Sequence, residues 1–347
     1  MTSLDGQPYG ARDEGALLDA LDALTRHHLA GCAAYARVWP DHARAETLDA
    51  LPWLHARMFK HIDLRTDVGT EGAGRVLRSS STTGAQPSRV HLDARSSALQ
   101  ARSAEAILRD FVGEHPRCVV VLDSAASLRA GRDVSARVAS AMALRPLARD
   151  MVYALDDAQR PETLRWDALR SALREHDELI VHGVTWALWL AWSRAPWPDD
   201  VASMLRRTRV AFVHSGGWKR LDALAVSSDR FEATLRASAA PGSTVVDCYG
   251  LVEQNGVVFP SCAWGYRHVP RWADVLVRDP YDLRACEGRT GMLQFVNTLA
   301  WGAPYHSVLT EDLGLVEPTP CPCGRSGRRF VLQGRVPAVE VRGCGNV

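Results

Sequence analysis

Between residues 118 and 249 the chain repeats one pattern. A short, apolar, β-branched run ends on a polar or glycine-bearing turn, and a helical pattern comes next. Cys118-Val119-Val120-Val121-Leu122-Asp123 is the clearest such run; Glu178 to His182, Arg209 to His214 and Ser243 to Cys248 are the others. Runs that do not alternate apolar with polar read as strands buried on both faces. Ser96 to Val112, Ser135 to Arg149 and Thr185 to Arg194 read as the helices between them. Strand–helix alternation of this kind predicts an α/β fold, with a mostly parallel sheet covered by helices. Ligands of such sheets bind beyond the carboxyl ends of the strands. Chemistry is therefore expected just after each run.

The flanks differ. Ala16 to Ala30 carries leucine, alanine and charge at helical spacing, and residues 1–75 look mainly helical, with turns at Pro40 and Pro52. Trp39, Trp53 and Phe59 are expected to pack against the later parts of the chain. Beyond about residue 255 the helical texture fades. Met292 to Asn297, Phe330 to Gln333 and Ala338 to Val341 read as strands of a smaller β-rich subdomain. The expected organisation is a helical region over 1–75, an α/β nucleotide-binding part over 76–254, a β-rich part over 255–336 and a tail over 337–347.

Composition narrows the function classes. The 347 residues carry 41 basic and 40 acidic side chains, a formal charge of +1, so no global field draws in nucleic acid or an anionic membrane. No basic, apolar leader opens the chain, and the most apolar run, Leu179 to Trp192, is too short to span a bilayer. A cytoplasmic protein is expected. In that setting the eight cysteines point to metal binding or catalysis rather than disulfides.

Several segments carry chemistry. Ser79-Ser80-Ser81-Thr82-Thr83-Gly84, with Pro87 and Arg89 close behind, concentrates hydroxyl and backbone N–H donors in one loop. Such a cradle suits phosphate oxygens, with Arg89 adding a charge-assisted contact; a solvated loop is the plainer alternative. His214-Ser215-Gly216-Gly217-Trp218-Lys219 comes after a strand, and its paired glycines would let a flat ring lie against the backbone, or form a plain turn. Asp247-Cys248-Tyr249-Gly250-Leu251-Val252-Glu253 sets a carboxylate at a strand end, where Glu253 could hold Mg²⁺ or remain solvated.

Taken in order, the hydroxyl loop, Gly216-Gly217, Tyr249-Gly250-Leu251-Val252-Glu253, Thr310-Glu311-Asp312 and Gly334-Arg335 resemble the motifs of adenylate-forming ligases. The nearest groups are the phenylacetate–coenzyme A ligases and the acyl-protein synthetases of bacterial luminescence. His214 to Lys219 and His268-Val269-Pro270-Arg271-Trp272 look like the second. The resemblance covers roughly residues 50–347. It implies a large adenylate-forming core that binds ATP and Mg²⁺ and turns a carboxylic acid, fatty in the second group, into an acyl-adenylate and pyrophosphate. The hydroxyl loop would hold the phosphates, Gly216 and Gly217 would border adenine, and Tyr249 and Gly250 would line the adenylate site. Glu253 would bind magnesium, Asp312 the ribose hydroxyls, and Arg335 would sit at a hinge. Ser81 replaces the usual glycine, and Ser88-Arg89 the usual lysine. The mobile C-terminal lid of the larger ligases, with its catalytic lysine, is expected to be absent or vestigial, and Lys219 is the candidate substitute.

Cys262, His268, Cys321 and Cys323 supply three thiolates and an imidazole, a set suited to structural zinc, although C-x-C is tighter than the usual spacing and buried inert cysteines are the alternative. Cys344 lies between Gly343 and Gly345 beside Arg342, an accessible arm with a cation that favours thiolate. By resemblance it would receive the acyl group as a thioester and deliver it to a partner such as a reductase or carrier protein. Direct transfer to coenzyme A or a carrier thiol, and an inactive scaffold subunit, are the competing expectations.

Overall fold

The computed structural model describes residues 4, 6–40, 42–67, 74–79, 86–129, 133–317 and 320–336, with backbone alone at 128–129, 133, 219–220 and 222. The chain opens with helices α1 (Glu14–Gly31) and α2 (Ala33–Val38), a two-residue strand β1 (Leu54–His55) and a single helical turn α3 (Met58–His61). Asp13 caps α1 by accepting from the Ala16 N–H at 3.0 Å. Phe59 is buried in a cluster with Tyr305 and Val308, Trp39 packs against that cluster, and the Arg278 guanidinium lies 5.7 Å from the centre of the Trp53 ring, so these aromatics pack against later parts of the chain as expected.

The central part runs β2 (Arg75–Arg78), β3 (Arg89–Leu92), α4 (Ala94–Val112), β4 (Arg117–Val121), β5 (Asp133–Ser135), α5 (Ala136–Met142), β6 (Ala148–Tyr153), α6 (Trp166–Glu175), β7 (Glu178–Val184), α7 (Thr185–Arg194), α8 (Asp199–Leu205), β8 (Arg209–Ser215), α9 (Ser228–Ala237) and β9 (Thr244–Tyr249). Strands β6, β4, β7, β8 and β9 lie side by side and are parallel. Alternate side chains of each run leave on opposite faces. Cys118, Val120 and Leu122 join Leu179, Val181 and Phe212 against α6, α7 and α9. Val119 and Val121 join Ile180, Ala211 and Val213 against α4. Two burials, one per face, explain why these runs show no polar alternation.

One expectation is corrected. The helix predicted over Ser135 to Arg149 ends at Met142, and Ala148–Tyr153 forms β6, the edge strand. Pro146, which lacks an N–H, sits in the short turn between them.

The last part comprises β10 (Phe259–Pro260), β11 (Arg267–His268), β12 (Ala273–Arg278), β13 (Gly291–Asn297), β14 (Ser307–Glu317) and β15 (Arg329–Arg335). β10 extends the parallel sheet as an antiparallel edge beside β9. The others form an antiparallel sheet ordered β11-β15-β14-β13-β12, and β1 joins it by pairing parallel with β14, Leu54 opposite Val308. Helix α4 sits between the two large sheets. Its Ile107 packs with Phe259, Trp272 and Phe295, and its Leu108 and Val112 pack against the parallel sheet. The strand expected at 338–341 lies outside the described residues.

Candidate active site

Strand β9 delivers Tyr249 to the junction of the two sheets. Its hydroxyl donates to Asp312 Oδ2 of β14 at 2.6 Å. Burial, then the facing Asp312 carboxylate, pushes the phenol well above its usual range, so it remains a donor. Asp312 stands opposite Arg335 in the β14–β15 ladder, and Arg335 Nε lies 3.4 Å from Asp312 Oδ1. Arg335 also reaches Glu311 Oε2 at 3.5 Å, while Arg57, just after β1, pairs with the other oxygen of Glu311. Arg267 lies 5.8 Å from the centre of the Tyr249 ring, pairs with Asp247, and donates to the Phe259 carbonyl at 2.7 Å.

Immediately after Gly250 a single 3-10 turn, Val252–Gln254, holds Glu253 at 7% exposure. Burial raises its carboxyl above the usual range; the Ser88 hydroxyl, its strongest side-chain partner, and the charges of Lys60 and Arg335 oppose that rise. Ser88 ends the hydroxyl-rich segment. Its N–H donates to Ser79 Oγ at 2.8 Å and its carbonyl accepts from the Ser79 N–H at 3.1 Å, so both ends of that segment are clamped beside Glu253. Arg89 opens β3, with its Nε buried and lacking a hydrogen-bond partner.

Strand β8 ends at Ser215, and the next residue, Gly216, has φ +75. Among the described residues beyond their chain neighbours, no atom lies within 4 Å of where a Cβ would stand at Gly216 or Gly217. The turn itself is fixed: Thr185 Oγ1 donates to the Gly216 carbonyl at 2.6 Å and meets His214 Nδ1 at 2.9 Å. The hydroxyl has one proton, so Nδ1 is the donor to it. Burial holds His214 below the usual histidine range.

At the outer edge of the antiparallel sheet, Cys262, His268, Cys321 and Cys323 offer four ligand atoms within 4.8 Å of one another. His268 lies on β11 opposite Arg329 of β15, and a turn closed by the Gly324 N–H on the Cys321 carbonyl presents both later sulfurs. Zinc–sulfur bonds of about 2.3 Å in a tetrahedron set sulfurs about 3.8 Å apart. Cys262 Sγ and Cys321 Sγ are 3.8 Å apart, and Cys323 Sγ is 3.1 Å from His268 Nε2. Burial, then Arg325 and Arg329, pushes His268 down to about 4, keeping the imidazole neutral with a lone pair to offer. The donor set fits zinc.

The structure thus brings together Ser79, Arg89, Tyr249, Gly250, Glu253, Asp312 and Arg335 around one junction, and the four Cys/His residues at another place. Ser80, Ser81, Thr82, Thr83, Gly84 and Cys344, and the Lys219 side chain, lie outside the described residues. Sequence reading missed Arg57, Lys60, Thr185 and Arg267. Only Lys60 carried a signal: it is one of two lysines among 41 basic residues.

The same architecture occurs in 2-hydroxyisobutyryl-CoA ligase. Its open conformation with 2-HIB-AMP and CoA aligns over 93% of this chain and 69% of that one, with 15% identity and a TM-score of 0.65. Its thioesterification state aligns over 94% and 68%, with 15% identity and a TM-score of 0.64. The postadenylation state with R3-HIB-AMP gives 93% and 68%, 16% and 0.64. Comparison with curated protein sequences gave no match. The fold is that of the adenylate-forming ligase core, and the protein is an enzyme of that class. Residues 15–347 match the family described as acyl-protein synthetase, LuxE, and the chain belongs to that family. Among the described residues no helix is long and apolar enough to cross a membrane.

Proposed function

We propose that this enzyme uses ATP and Mg²⁺ to activate a carboxylic acid, of the fatty class, as an acyl-adenylate and passes the acyl group to the thiol of Cys344. From there it would be delivered to a partner such as a reductase or carrier protein. The observation that carries this reading is the convergence of Tyr249, Asp312 and Arg335 with Glu253 and the clamped ends of the hydroxyl-rich segment. In the reaction a carboxylate oxygen bonds to the α-phosphorus, the bond from that phosphorus to the bridging oxygen breaks, and pyrophosphate leaves. Cys344 thiolate then attacks the acyl carbon and AMP departs.

The roles rest on chemistry. Asp312, held between the Tyr249 hydroxyl and Arg335, presents an oriented acceptor for ribose hydroxyls. Glu253 is costly to keep ionised where it is buried, and a divalent cation would offset that cost while bridging phosphates. The face over Gly216 and Gly217, where no Cβ stands, is suited to adenine. Zinc held by Cys262, His268, Cys321 and Cys323 would be structural, tying β11 to the turn before β15. The setting is cytoplasmic, where free thiols persist.

The test is intact-protein mass after incubation with ATP, Mg²⁺ and a panel of carboxylic acids, wild type beside Cys344→Ser. A mass gain matching one acid, missing in the variant, is expected. Pyrophosphate release without any mass gain would move the acceptor to an external thiol. Neither signal across the panel would overturn the ligase reading and favour a scaffold role.

A further inference from the structure

A strand places successive side chains on opposite faces. Glu311 and Asp312 are successive residues of β14, yet one guanidinium, that of Arg335, lies 3.5 Å from the first carboxylate and 3.4 Å from the second. The cause is a bulge. While β13 runs from Gln294 to Met292, its partners on β14 run from Leu309 to Leu313, so β14 carries extra chain there. The Thr310 hydroxyl pins the bulge, donating to the Leu293 carbonyl at 2.8 Å and accepting from the Asp312 N–H at 3.1 Å. Bulges of this kind re-aim side chains, often beside active sites. This one sets two like charges side by side at the junction.

A second arginine meets the bulge from the early part of the chain. Arg57 follows β1, which pairs with β14 through Leu54 with Val308 and His55 with Leu309. The Ala56 N–H donates to the Leu309 carbonyl at 2.9 Å, and the Arg57 N–H donates to His55 Nδ1 at 3.2 Å. Phe59, fully buried with Val252 and Val308, holds the next turn. Anchored in this way, Arg57 pairs with Oε1 of Glu311 while Arg335 reaches Oε2. Each oxygen of Glu311 therefore faces its own guanidinium. Arg335 is held loosely: neither of its contacts is as short as the roughly 2.7–2.9 Å of a committed arginine–carboxylate bond. It is shared between two carboxylates, and the division depends on what else Glu311 holds.

We propose that Arg57 is a positioning residue for the ribose of ATP. By holding one oxygen of Glu311 it keeps that carboxylate from drawing Arg335 into a two-pronged pair. Arg335 then stays shared with Asp312, and Asp312 stays aimed between Arg335 and the Tyr249 hydroxyl, ready to accept from the ribose hydroxyls. This rests on the ligase reading above. Arg57 acts through Glu311 and moves no proton. Both guanidiniums are more than half exposed, so the hold is one of geometry and its energy is small.

ATP–pyrophosphate exchange on the full chain reads this role, with ATP and with 2′,3′-dideoxy-ATP, which has no ribose hydroxyls to orient. Arg57→Met should raise KM for ATP about 3–5-fold, the scale of one exposed ion pair, at unchanged kcat. KM for the dideoxy nucleotide should not move. Arg57→Lys, which keeps the charge, should recover most of the loss. Adding Glu311→Gln to Arg57→Met should bring KM for ATP back down, because a neutral amide no longer competes for Arg335. A loss equal for both nucleotides, or one that deepens in the double variant, overturns the role and leaves the ligase reading intact. A residue that merely braced the fold would give that equal loss, with a lower urea midpoint. If wild type shows neither exchange nor thermal stabilisation by ATP·Mg²⁺, the ligase reading itself falls, and the role of Arg57 with it.

Discussion

Gly256 is where stability and the site meet most tightly. It has φ +87, and a Cβ there would lie 2.5 Å from Gln100 Cβ and 2.6 Å from Gln100 Cα. The obstacle is backbone of α4, which cannot swing aside. Forcing alanine into the left-handed region costs about 1–2 kcal/mol, and overpacking adds about 1–3, so Gly256→Ala should destabilise by about 2–5 kcal/mol. That is a large fraction of the roughly 5–15 kcal/mol that holds a typical domain together. Relief would come by lifting the 252–256 turn off the helix. This strains the bonds from Ser103 Oγ to the Gly256 carbonyl and from Asn255 Nδ2 to Gln100 Oε1, both 2.6 Å. Glu253 moves with the turn. Urea titration should therefore show a lower midpoint at unchanged slope, and exchange activity should fall even at temperatures where the variant is folded. Gly10→Ala, whose Cβ meets nothing closer than 3.9 Å, is the control. A loss below about 1 kcal/mol, given these contact and backbone terms, would refute the argument.

Cys321→Ser should lower bound zinc, measured by metal analysis of purified protein, and unfolding temperature together; unchanged zinc content would reject the site. Tyr249→Phe removes the one side-chain hydroxyl donor to the Asp312 carboxylate seen among the described residues, and should raise KM for ATP about tenfold, the equivalent of 1.4 kcal/mol, with a small effect on folding. Burial pushes His182 down to about 4 and His306 to about 3. Both pKa values are depressed on folding, so the unfolded chain binds more protons below its own histidine pKa of about 6.5. The stability they leave intact is full above that value and drains away as pH falls toward 4, which unfolding titrations at pH 7, 5.5 and 4.5 would register. Flat stability over this range would contradict the buried, neutral assignment of both rings.

What the sequence made legible was whatever is local. The four apolar runs became parallel strands because burial on both faces leaves its mark in each run separately. The Cys/His set and the Tyr249-to-Glu253 segment were found because residue type itself carries their chemistry. β6 escaped because Ala-Arg-Asp-Met-Val-Tyr lies at the sheet edge with Arg149 and Asp150 exposed, and these charges break the apolar run. β14 escaped because Thr310-Glu311-Asp312 drew attention as a motif, and a register shift beside Gly314 interrupts its alternation. The pairing of β1 with β14 has no local signature, since two residues suffice to make it. Arg57 and Lys60 therefore came to the site through a contact that no window of sequence contains.

That pairing also sets an order of events in synthesis. The segment bearing Arg57 and Lys60 leaves the ribosome well before Val308 and Leu309, which dock it. Arg335 emerges later still. Domains generally mature from the N-terminal side during synthesis, and contacts between distant parts of a chain form late. Here the parallel sheet can assemble while residues 54–62 wait unpaired. Catalytic competence should then appear in one late step, as β14 and β15 close over both the early segment and the nucleotide junction. A nascent chain halted before β14 would hold its parallel-sheet core without the means to activate an acid.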